Sequence, residues 1–224
     1  MENEIIDRFT RSRLLFGEFF EQIQKTSVLI LGVGGVGSFA LDCLYRSGIG
    51  KLSIVDDDSF EVTNQNRQIG SQFVNEPKVK ALARLYPGIE AFEESVSAEF
   101  LQRHNILQYD YVIDAIDDIP MKVEVAKIAT QKPYGMYIAS TGSAKKIDPL
   151  KIEVGSIWKS RGDKFARKFR DNLKKARVKA KFKVVFSQEI PKCKGLGSFS
   201  AVTGGFGLVI ASQVIDDIIT RSKK

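Results

Sequence analysis

Short apolar runs alternate with helical periodicities along the first two thirds of the chain. Apolar runs rich in β-branched residues predict buried strands, and apolar residues every three to four positions predict amphipathic helices. The predicted strands are 27–31, 51–56, 109–117 and 134–141. The predicted helices between them are 37–47, 76–86 and 120–132. This alternation is typical of βαβ units, and it predicts an α/β fold with a Rossmann-like, doubly wound and mostly parallel sheet.

The last third of the chain has a different pattern. Segments 151–157 and 181–187 predict strands of an antiparallel extension, and 200–219 predicts a buried helix. Between them, 164–176 predicts a basic helix with a stripe of apolar residues every four positions, among them Phe165 and Phe169, which we expect in the core. Without an internal repeat or a low-complexity linker, the pattern predicts a single domain over 1–224, with a basic elaboration at 159–194.

One stretch, Gly195 to Ile215, carries no charge for 21 residues, which is long enough to cross a bilayer. Its many glycine, serine and threonine residues favour a loop followed by a buried core helix instead. The N-terminal segment is charged throughout and has no apolar signal core. We therefore expect a soluble cytoplasmic protein with no membrane contact.

Positive charge is concentrated in the basic elaboration. Residues 159–194 carry a net charge of +11, whereas the whole chain carries +7, so the remainder is acidic. A solvated helix face is the ordinary explanation of such a run, but its density favours a surface that binds a nucleic acid. The candidate contacts are Lys164, Arg167, Lys168, Lys174, Lys175 and Arg177.

Cysteine and histidine usage excludes several kinds of site. There are two cysteines and no C-x-x-C pair, so a structural zinc site of cysteines is not expected. The single histidine, His104, gives little support to a Ser-His-Asp triad or a multi-histidine metal site. Cys43 is expected to be a buried small residue, whereas Cys193 lies among lysines, which can make a thiol reactive.

A glycine-rich turn, "GVGGVGS", follows the first predicted strand. Gly32, Gly34 and Gly37 fit the G-x-G-x-x-G pattern, and Gly35 is an additional glycine within it. Glycines let the backbone approach a phosphate, and the N-terminus of the next helix offers N–H groups and a positive dipole end. By itself the turn fits the pyrophosphate of a redox cofactor as well as the phosphates of ATP.

Polar residues after the next strands favour ATP. Asp56 ends the second strand, 24 residues after Gly32, where an acid binds ribose hydroxyls. Arg67 and Lys78 can bind phosphates, and Asp117 can hold Mg²⁺. Each could alone be a surface charge, but together they predict a triphosphate site. The candidate nucleotide-binding residues are Gly32, Gly34, Gly35, Gly37, Asp56, Asp58, Asn64, Asn66, Arg67, Lys78, Asp117 and Asp118.

These motifs resemble a known family. "GVGGVGS", "VDDDSFEVTNQNRQ", "EPKVKALA", "VIDAIDD" and the opening "RFTRSRLLFG" are similar to the adenylating domain shared by ubiquitin-activating enzymes and bacterial activators of sulfur-carrier proteins. The resemblance implies catalytic roles for Arg11, Arg67, Lys78 and Asp117, with ATP and Mg²⁺ bound. Arg11 matches an arginine that reaches into the partner subunit's site, which implies a homodimer.

The last third is similar to one branch of that family. The zinc-binding cysteine pairs of the sulfur-carrier activators are missing, and 224 residues leave no room for a catalytic-cysteine domain. "STGSAKKIDPLKIEVGSI", "KFARKFRDNLKK" and "KVVFSQEIPK" resemble the tRNA threonylcarbamoyladenosine dehydratases instead. This resemblance implies ATP-dependent cyclisation of N6-threonylcarbamoyladenosine in tRNA through an adenylated carboxylate.

Two alternatives remain open from the sequence. One is an adenylating activator of the C-terminus of a ubiquitin-like or sulfur-carrier protein, and the other is a nucleic-acid scaffold that has lost catalysis. Family members can be linked to sulfur transfer, so a sulfur-transfer protein is a further candidate partner.

Overall fold

The computed structural model describes residues 6–223 and contains one seven-stranded sheet. The strands are β1 (Ser27–Leu31), β2 (Lys51–Val55), β3 (Glu90–Phe92), β4 (Tyr111–Asp114), β5 (Tyr137–Ser140), β6 (Ile152–Ser156) and β7 (Lys183–Ser187). Their order across the sheet is β3-β2-β1-β4-β5-β7-β6. All neighbours pair in parallel except β6 and β7, which pair antiparallel. The predicted fold class, including the antiparallel extension, is confirmed.

Helices cover both faces of this sheet. They are α1 (Thr10–Phe16), α2 (Phe20–Lys25), α3 (Gly37–Ser47), α4 (Lys78–Leu85), α5 (Ala98–Arg103), α6 (Ile119–Ala129), α7 (Lys164–Lys175) and α8 (Ser200–Ser222). One buried core joins one side of the strands to α2, α3, α4 and α8. A second core joins the other side to α5, α6 and α7. Successive side chains of a strand point to opposite faces, which is why the apolar runs supply both cores.

The basic elaboration contributes a strand to the same sheet as the preceding strands. Within 159–194, α7 packs on α6, and β7 lies between β5 and β6. Phe169 is fully buried and Phe165 half-buried, so both belong to the packed face of α7 as predicted.

The uncharged stretch forms the predicted loop and buried helix. Helix α8 begins at Ser200, and 56% of its most apolar 18-residue window is buried. Its length and composition would also allow a membrane span. Phe206, Ile210 and Val214 are completely buried against the sheet and α3, as in the core helix of a globular domain.

Several predicted elements are longer than the observed ones, and one strand and three short helices were not predicted. Strands 109–117 and 134–141 shorten to four residues each. The edge strand β3 has only three residues and no fully buried side chain, so it has no apolar pattern to detect. The six-residue α5 and the short α1 and α2 were not predicted, because helices of under two turns carry little periodicity.

Candidate functional site

The glycine turn connects the carboxyl end of β1 to the N-terminus of α3, near the middle of the sheet. Gly32 has φ of +83°, and a Cβ atom there would lie 3.0 Å from the backbone of Ala115. A Cβ atom on Gly37 would lie 1.9 Å from the carbonyl oxygen of Gly32. Both positions therefore require glycine for close backbone packing. Gly34 and Gly35 are partly exposed, which leaves their backbone accessible to a ligand.

Arg67 lies over this turn. A Cβ atom on Gly35 would be 3.3 Å from the Cγ and Cδ atoms of Arg67. The Arg67 guanidinium is oriented by the Thr63 carbonyl, 2.8 Å from Nη1, and by Asn66 Oδ1, 2.9 Å away. These bonds involve Nη1, and the guanidinium has further donors for an anion.

Asp56 and Lys78 form a nearly buried ion pair at the end of β2. Asp56 accepts hydrogen bonds from the backbone N–H groups of Val33 (2.8 Å) and Asp58 (3.0 Å). Its side chain is 10% exposed and that of Lys78 is 5% exposed. Burial raises the pKa of the Asp56 carboxyl, and the nearby lysine opposes this shift. The pair joins the glycine turn to the N-terminus of α4.

Lys78 also neutralises a second carboxylate. Its Nζ lies 3.6 Å from Asp56 Oδ1 and 2.6 Å from Asp58 Oδ2. Carboxylate oxygens of Asp56, Asp57 and Asp58 lie within 4.8 Å of one another, a spacing that could hold a cation. Because the lysine already contacts two of the three acids, this cluster carries less free negative charge than its composition indicates.

Asn64 and Asn66 shape the loop that carries Arg67. Asn64 is buried, and its Oδ1 accepts a hydrogen bond from the backbone N–H of Glu61 at 3.0 Å, within a reciprocal cap. Asn66 Nδ2 donates to the carbonyl and the hydroxyl of Ser198, both at 3.1 Å. The arginine loop is thereby tied to the segment that precedes α8.

Asp117 and Asp118 follow β4 and have different surroundings. Asp118 caps α6, with its Oδ1 accepting from the Met121 N–H at 3.0 Å. Asp117 is exposed, and among residues 6–223 it forms no hydrogen bond or ion pair. Its oxygens are therefore available, whereas Asp118 has a structural partner.

Sequence reasoning missed a buried network beneath this loop. Lys122 and Asp114 are both fully buried, with Nζ 2.6 Å from Oδ1. Lys122 also donates to the carbonyls of Asp114 (3.2 Å) and Ile116 (3.1 Å), and Tyr137 donates its hydroxyl to Asp114 Oδ2 at 2.9 Å. Burial raises the pKa of the Asp114 carboxyl, against the effect of the lysine. The network fixes the backbone that leads to Asp117.

A signal for this network exists in the sequence. Lys122 occupies a core position of the amphipathic helix, next to the buried Val123 and one turn before Ala126. A lysine in that phase of a helix is unusual unless it is paired, because an unpaired buried charge is costly. The preceding strand ends in Asp114, which supplies the partner.

Among residues 6–223, no hydrogen bond or ion pair joins Arg11 to these residues. It is exposed on α1, which begins beside the C-terminal end of α3, where Arg8 Nη2 donates to the Tyr45 carbonyl at 2.8 Å. The glycine turn precedes the other end of α3. Because α3 has eleven residues, its two ends, one beside the start of α1 and the other beside the glycine turn, are about 16 Å apart.

The predicted nucleic-acid contacts lie on the outward face of α7 and just beyond it. Asp163 caps this helix, and Ala166, Phe169 and Leu173 are its buried residues. All six candidates are exposed: Lys164, Arg167, Lys168, Lys174, Lys175 and Arg177.

The cysteines and the histidine take no part in the site geometry. Cys43 is half-buried, and burial raises the pKa of its thiol. Cys193 is exposed in the loop before α8. His104 stacks on Phe100, with ring centroids 4.4 Å apart, and its Nε2 lies 3.4 Å from Glu94 Oε1, so its contacts belong to the packing around α5.

Comparison with known proteins extends over nearly the whole chain. A model of the ThiF family matches residues 9–223. The tRNA threonylcarbamoyladenosine dehydratase of Bacillus subtilis is 35% identical over 196 residues, which cover 84% of this chain and 77% of that protein. A shorter match, 33% identical over 144 residues, covers 58% of this chain and 52% of the sulfur carrier protein adenylyltransferase of Thermus thermophilus.

Two crystal structures of the Escherichia coli tRNA N6-threonylcarbamoyladenosine dehydratase are also similar. The complex with AMP has a TM-score of 0.90 at 28% identity and covers 97% of this chain and 96% of that one. The complex with ATP has a TM-score of 0.87 at 28% identity, with 96% and 95% covered.

Proposed function

The chain belongs to the ThiF family and, within it, to the tRNA threonylcarbamoyladenosine dehydratases, and we propose that it uses ATP to cyclise N6-threonylcarbamoyladenosine in tRNA. The observation that carries this proposal is the convergence of Arg67 and the Asp56–Lys78 pair on the glycine turn. A turn with two cations beside it suits a triphosphate, whereas a nicotinamide cofactor has no need of them.

In this proposal the phosphates lie on the backbone N–H groups at Gly34 and Gly35, at the positive end of α3. Asp56 accepts the ribose hydroxyls, because its carboxylate is already held by two backbone N–H groups at this edge. Arg67 and Lys78 then stabilise the negative charge that develops on the α-phosphate and pyrophosphate.

The reaction has two steps that need no protein nucleophile. A carboxylate oxygen of the threonylcarbamoyl group attacks the α-phosphorus of ATP, and pyrophosphate leaves. The ureido group of the same side chain then attacks the activated carbonyl carbon, and AMP departs with the former carboxylate oxygen. The net change in the nucleoside is the loss of one water. Intramolecular attack of well-oriented groups can lower a barrier by about 7–11 kcal/mol, which lessens the need for a covalent enzyme intermediate.

Asp117 is the residue proposed to hold Mg²⁺. Its carboxylate is exposed and has no partner within residues 6–223, and it supplies the oxygen donors that Mg²⁺ prefers. The buried Lys122–Asp114 network holds the preceding backbone in place. When bound, Mg²⁺ would add positive charge against the phosphate oxygens.

The remaining partners are proposed from position and charge. The exposed cations of α7 suit the phosphate backbone of tRNA, and tRNA as substrate favours a cytoplasmic location. Arg11, distant from the glycine turn of its own chain, suits a role across a homodimer. A sulfur-transfer partner stays a prediction.

Release of AMP tests the proposal. Incubation with ATP should yield AMP in proportion to tRNA that carries the threonylcarbamoyl mark, and unmarked tRNA should yield only background. Equal AMP from both tRNAs would contradict it. Pyrophosphate exchange driven instead by a small carrier protein with a C-terminal glycine would favour the activator alternative.

A further inference from the structure

A groove with an aromatic lining lies beside the C-terminal end of α7, between the basic elaboration and the residue that precedes it, Trp158. Its volume is about 770 Å³, within the range of small-ligand sites. The residues that line it are Trp158, Lys174, Arg177, Val178 and Lys179. Neither the glycine turn nor any residue of the proposed nucleotide site belongs to it.

Trp158 is held in a fixed orientation. It follows β6 in a short 3₁₀ turn, and its indole Nε1 donates to the Ala180 carbonyl at 2.9 Å. The ring is half-buried, because it packs against the second core and also lines the groove. Since its N–H is already bonded, the indole offers a ligand its ring surface and no free donor.

The backbone around Arg177 gives the groove its shape. Arg177 has φ of +57°, a left-handed conformation that is uncommon for a residue other than glycine. It lies just after the end of α7, with its N–H bonded to the Lys174 carbonyl at 3.0 Å and the Val178 N–H bonded to the Leu173 carbonyl at 2.9 Å. The chain turns here and brings Val178 and Lys179 into the groove wall.

The cations of this wall are not neutralised. No aspartate or glutamate occurs between Asp171 and Glu189. Among the described residues, the side chains of Lys174, Arg177 and Lys179 form no ion pair. Uncompensated cations around an indole are the combination that binds single-stranded nucleic acids, in which a base stacks on an aromatic ring and the phosphates contact lysine and arginine.

We propose that this groove binds one unpaired nucleotide of the RNA substrate, with its base stacked on Trp158 and its flanking phosphates on Lys174, Arg177 and Lys179. This inference rests on the proposed function, because it names the region of tRNA that the basic elaboration contacts: a single-stranded segment and not a duplex.

Tryptophan fluorescence gives a direct test, since Trp158 is the only tryptophan in the chain. A single-stranded uridine oligonucleotide is titrated into the full-length protein, and binding is followed in parallel by the anisotropy of a labelled copy. Stacking predicts quenching with the same midpoint as binding. An abasic oligonucleotide of equal length should bind more weakly and leave the emission unchanged, and so should an RNA duplex.

Variants separate stacking from charge. Trp158→Ala should weaken binding of the single strand by about tenfold and leave the salt dependence unchanged. Trp158→Phe should restore most of the affinity, because phenylalanine keeps a ring surface for stacking although it loses the hydrogen bond to the Ala180 carbonyl. Arg177→Gln should instead reduce the salt dependence. Tyr134→Ala, at an exposed aromatic outside the basic elaboration, is the control and should change neither.

The outcomes distinguish the groove from the proposed reaction. Unchanged tryptophan emission while the oligonucleotide is fully bound would contradict base stacking in the groove. If the same preparation still cyclised marked tRNA, the proposed reaction would be unaffected. Quenching with no processing would support the groove and contradict the reaction. Equal quenching by uridine monophosphate or by polyglutamate would overturn the assignment to an RNA segment.

Discussion

Asp117 and Asp118 are adjacent in sequence but differ in what holds them. Asp118 caps a helix, whereas Asp117 has an exposed carboxylate without a hydrogen-bonding partner in the described part of the chain. Asp118→Ala should therefore cost about 1 kcal/mol of stability, as the loss of a helix cap does, and retain ATP binding. Asp117→Asn should keep the wild-type melting temperature and lose Mg²⁺-dependent turnover. Thermal unfolding and AMP release, measured on both variants, check the two effects. Full turnover by Asp117→Asn would contradict the assignment of Asp117 as the Mg²⁺ ligand.

Lys78 is expected to affect stability and catalysis together. Lys78→Met leaves the Asp56 carboxylate nearly buried without its cation, and breaking such a pair costs about 3–5 kcal/mol at neutral pH when burial is complete, less here. AMP release should fall at least a hundredfold. Lys80→Met, two residues further on and paired with Glu93 at the surface, is the matched control and should change neither quantity appreciably.

The stability of the Lys78→Met variant should depend on pH in a definite direction. Burial already raises the pKa of Asp56 in the folded protein above its ordinary value, and loss of Lys78 raises it further. The folded state then binds a proton more readily than the unfolded state, so stability falls as pH rises through the folded pKa and recovers below it. The difference in melting temperature between Lys78→Met and wild type should shrink from pH 7 towards pH 5. A difference that is constant or grows on acidification would contradict this role of Lys78.

Among the elements, α8 packs closely against the glycine turn and the first turn of α3. A Cβ atom on Gly207 would lie 2.3 Å from the Val36 carbonyl oxygen and 2.8 Å from the Ala40 N, at the first turn of α3. Gly207→Ala should force α8 away from α3, with a cost of about 1–3 kcal/mol and weaker ATP binding. Calorimetric titration with ATP and thermal unfolding measure the two effects.

Gly205 provides the control for that substitution. A Cβ atom there would lie 2.8 Å from the end of the Ile152 side chain, which can move, and at an ordinary contact distance of 3.9 Å from Pro149 Cβ. Gly205→Ala should be neutral or stabilising by up to about 1 kcal/mol, because alanine favours helix over glycine. If both variants were equally tolerated, the close contact between α8 and the glycine turn would not matter for nucleotide binding.

Helix α7 is expected to carry much of the electrostatic affinity for tRNA. Replacing Lys174, Lys175 and Arg177 with alanine should reduce the slope of log affinity against log salt by about two to three units. A triple alanine variant at Lys25, Lys51 and Lys80, which are each paired with an acid, is the control and should leave the slope nearly unchanged. If the two variants had equal slopes of log affinity against log salt, the cations of α7 would not contact the phosphates of tRNA.

The elements with long apolar patterns were predictable, and those without them were not. Strands β1, β2 and β7 and helices α3, α7 and α8 have buried stripes that appear in the sequence as periodicity. Strand β3 is short and exposed, and α1 and α2 are too short to repeat a pattern. The ion pair between Lys78 and Asp58 joins residues that are 20 positions apart, so no local pattern reveals it. The network around Lys122 is different, because a lysine at a core position of α6 is a local signal of it.

At the scale of the whole molecule, charge and topology separate two regions. The glycine turn and Asp117 follow β1 and β4 in the middle of the sheet, whereas α7 and the Trp158 groove adjoin the β7–β6 edge. A polyanionic substrate could therefore be bound at the edge while its modified nucleoside reaches the central turn. The sequence predicted the glycine turn, Asp117 and the basic residues of α7, but it did not predict the groove at Trp158, and the separation of the two regions depends on the strand order.

Mass spectrometry of tRNA nucleosides after incubation with ATP tests the central claim most directly. We expect N6-threonylcarbamoyladenosine to be replaced by a nucleoside lighter by one water, only when ATP is present and not with Asp117→Asn. Since the cyclic product can hydrolyse, digestion should be rapid and at neutral pH. An unchanged nucleoside, from marked tRNA bound at saturating ATP, would contradict the account.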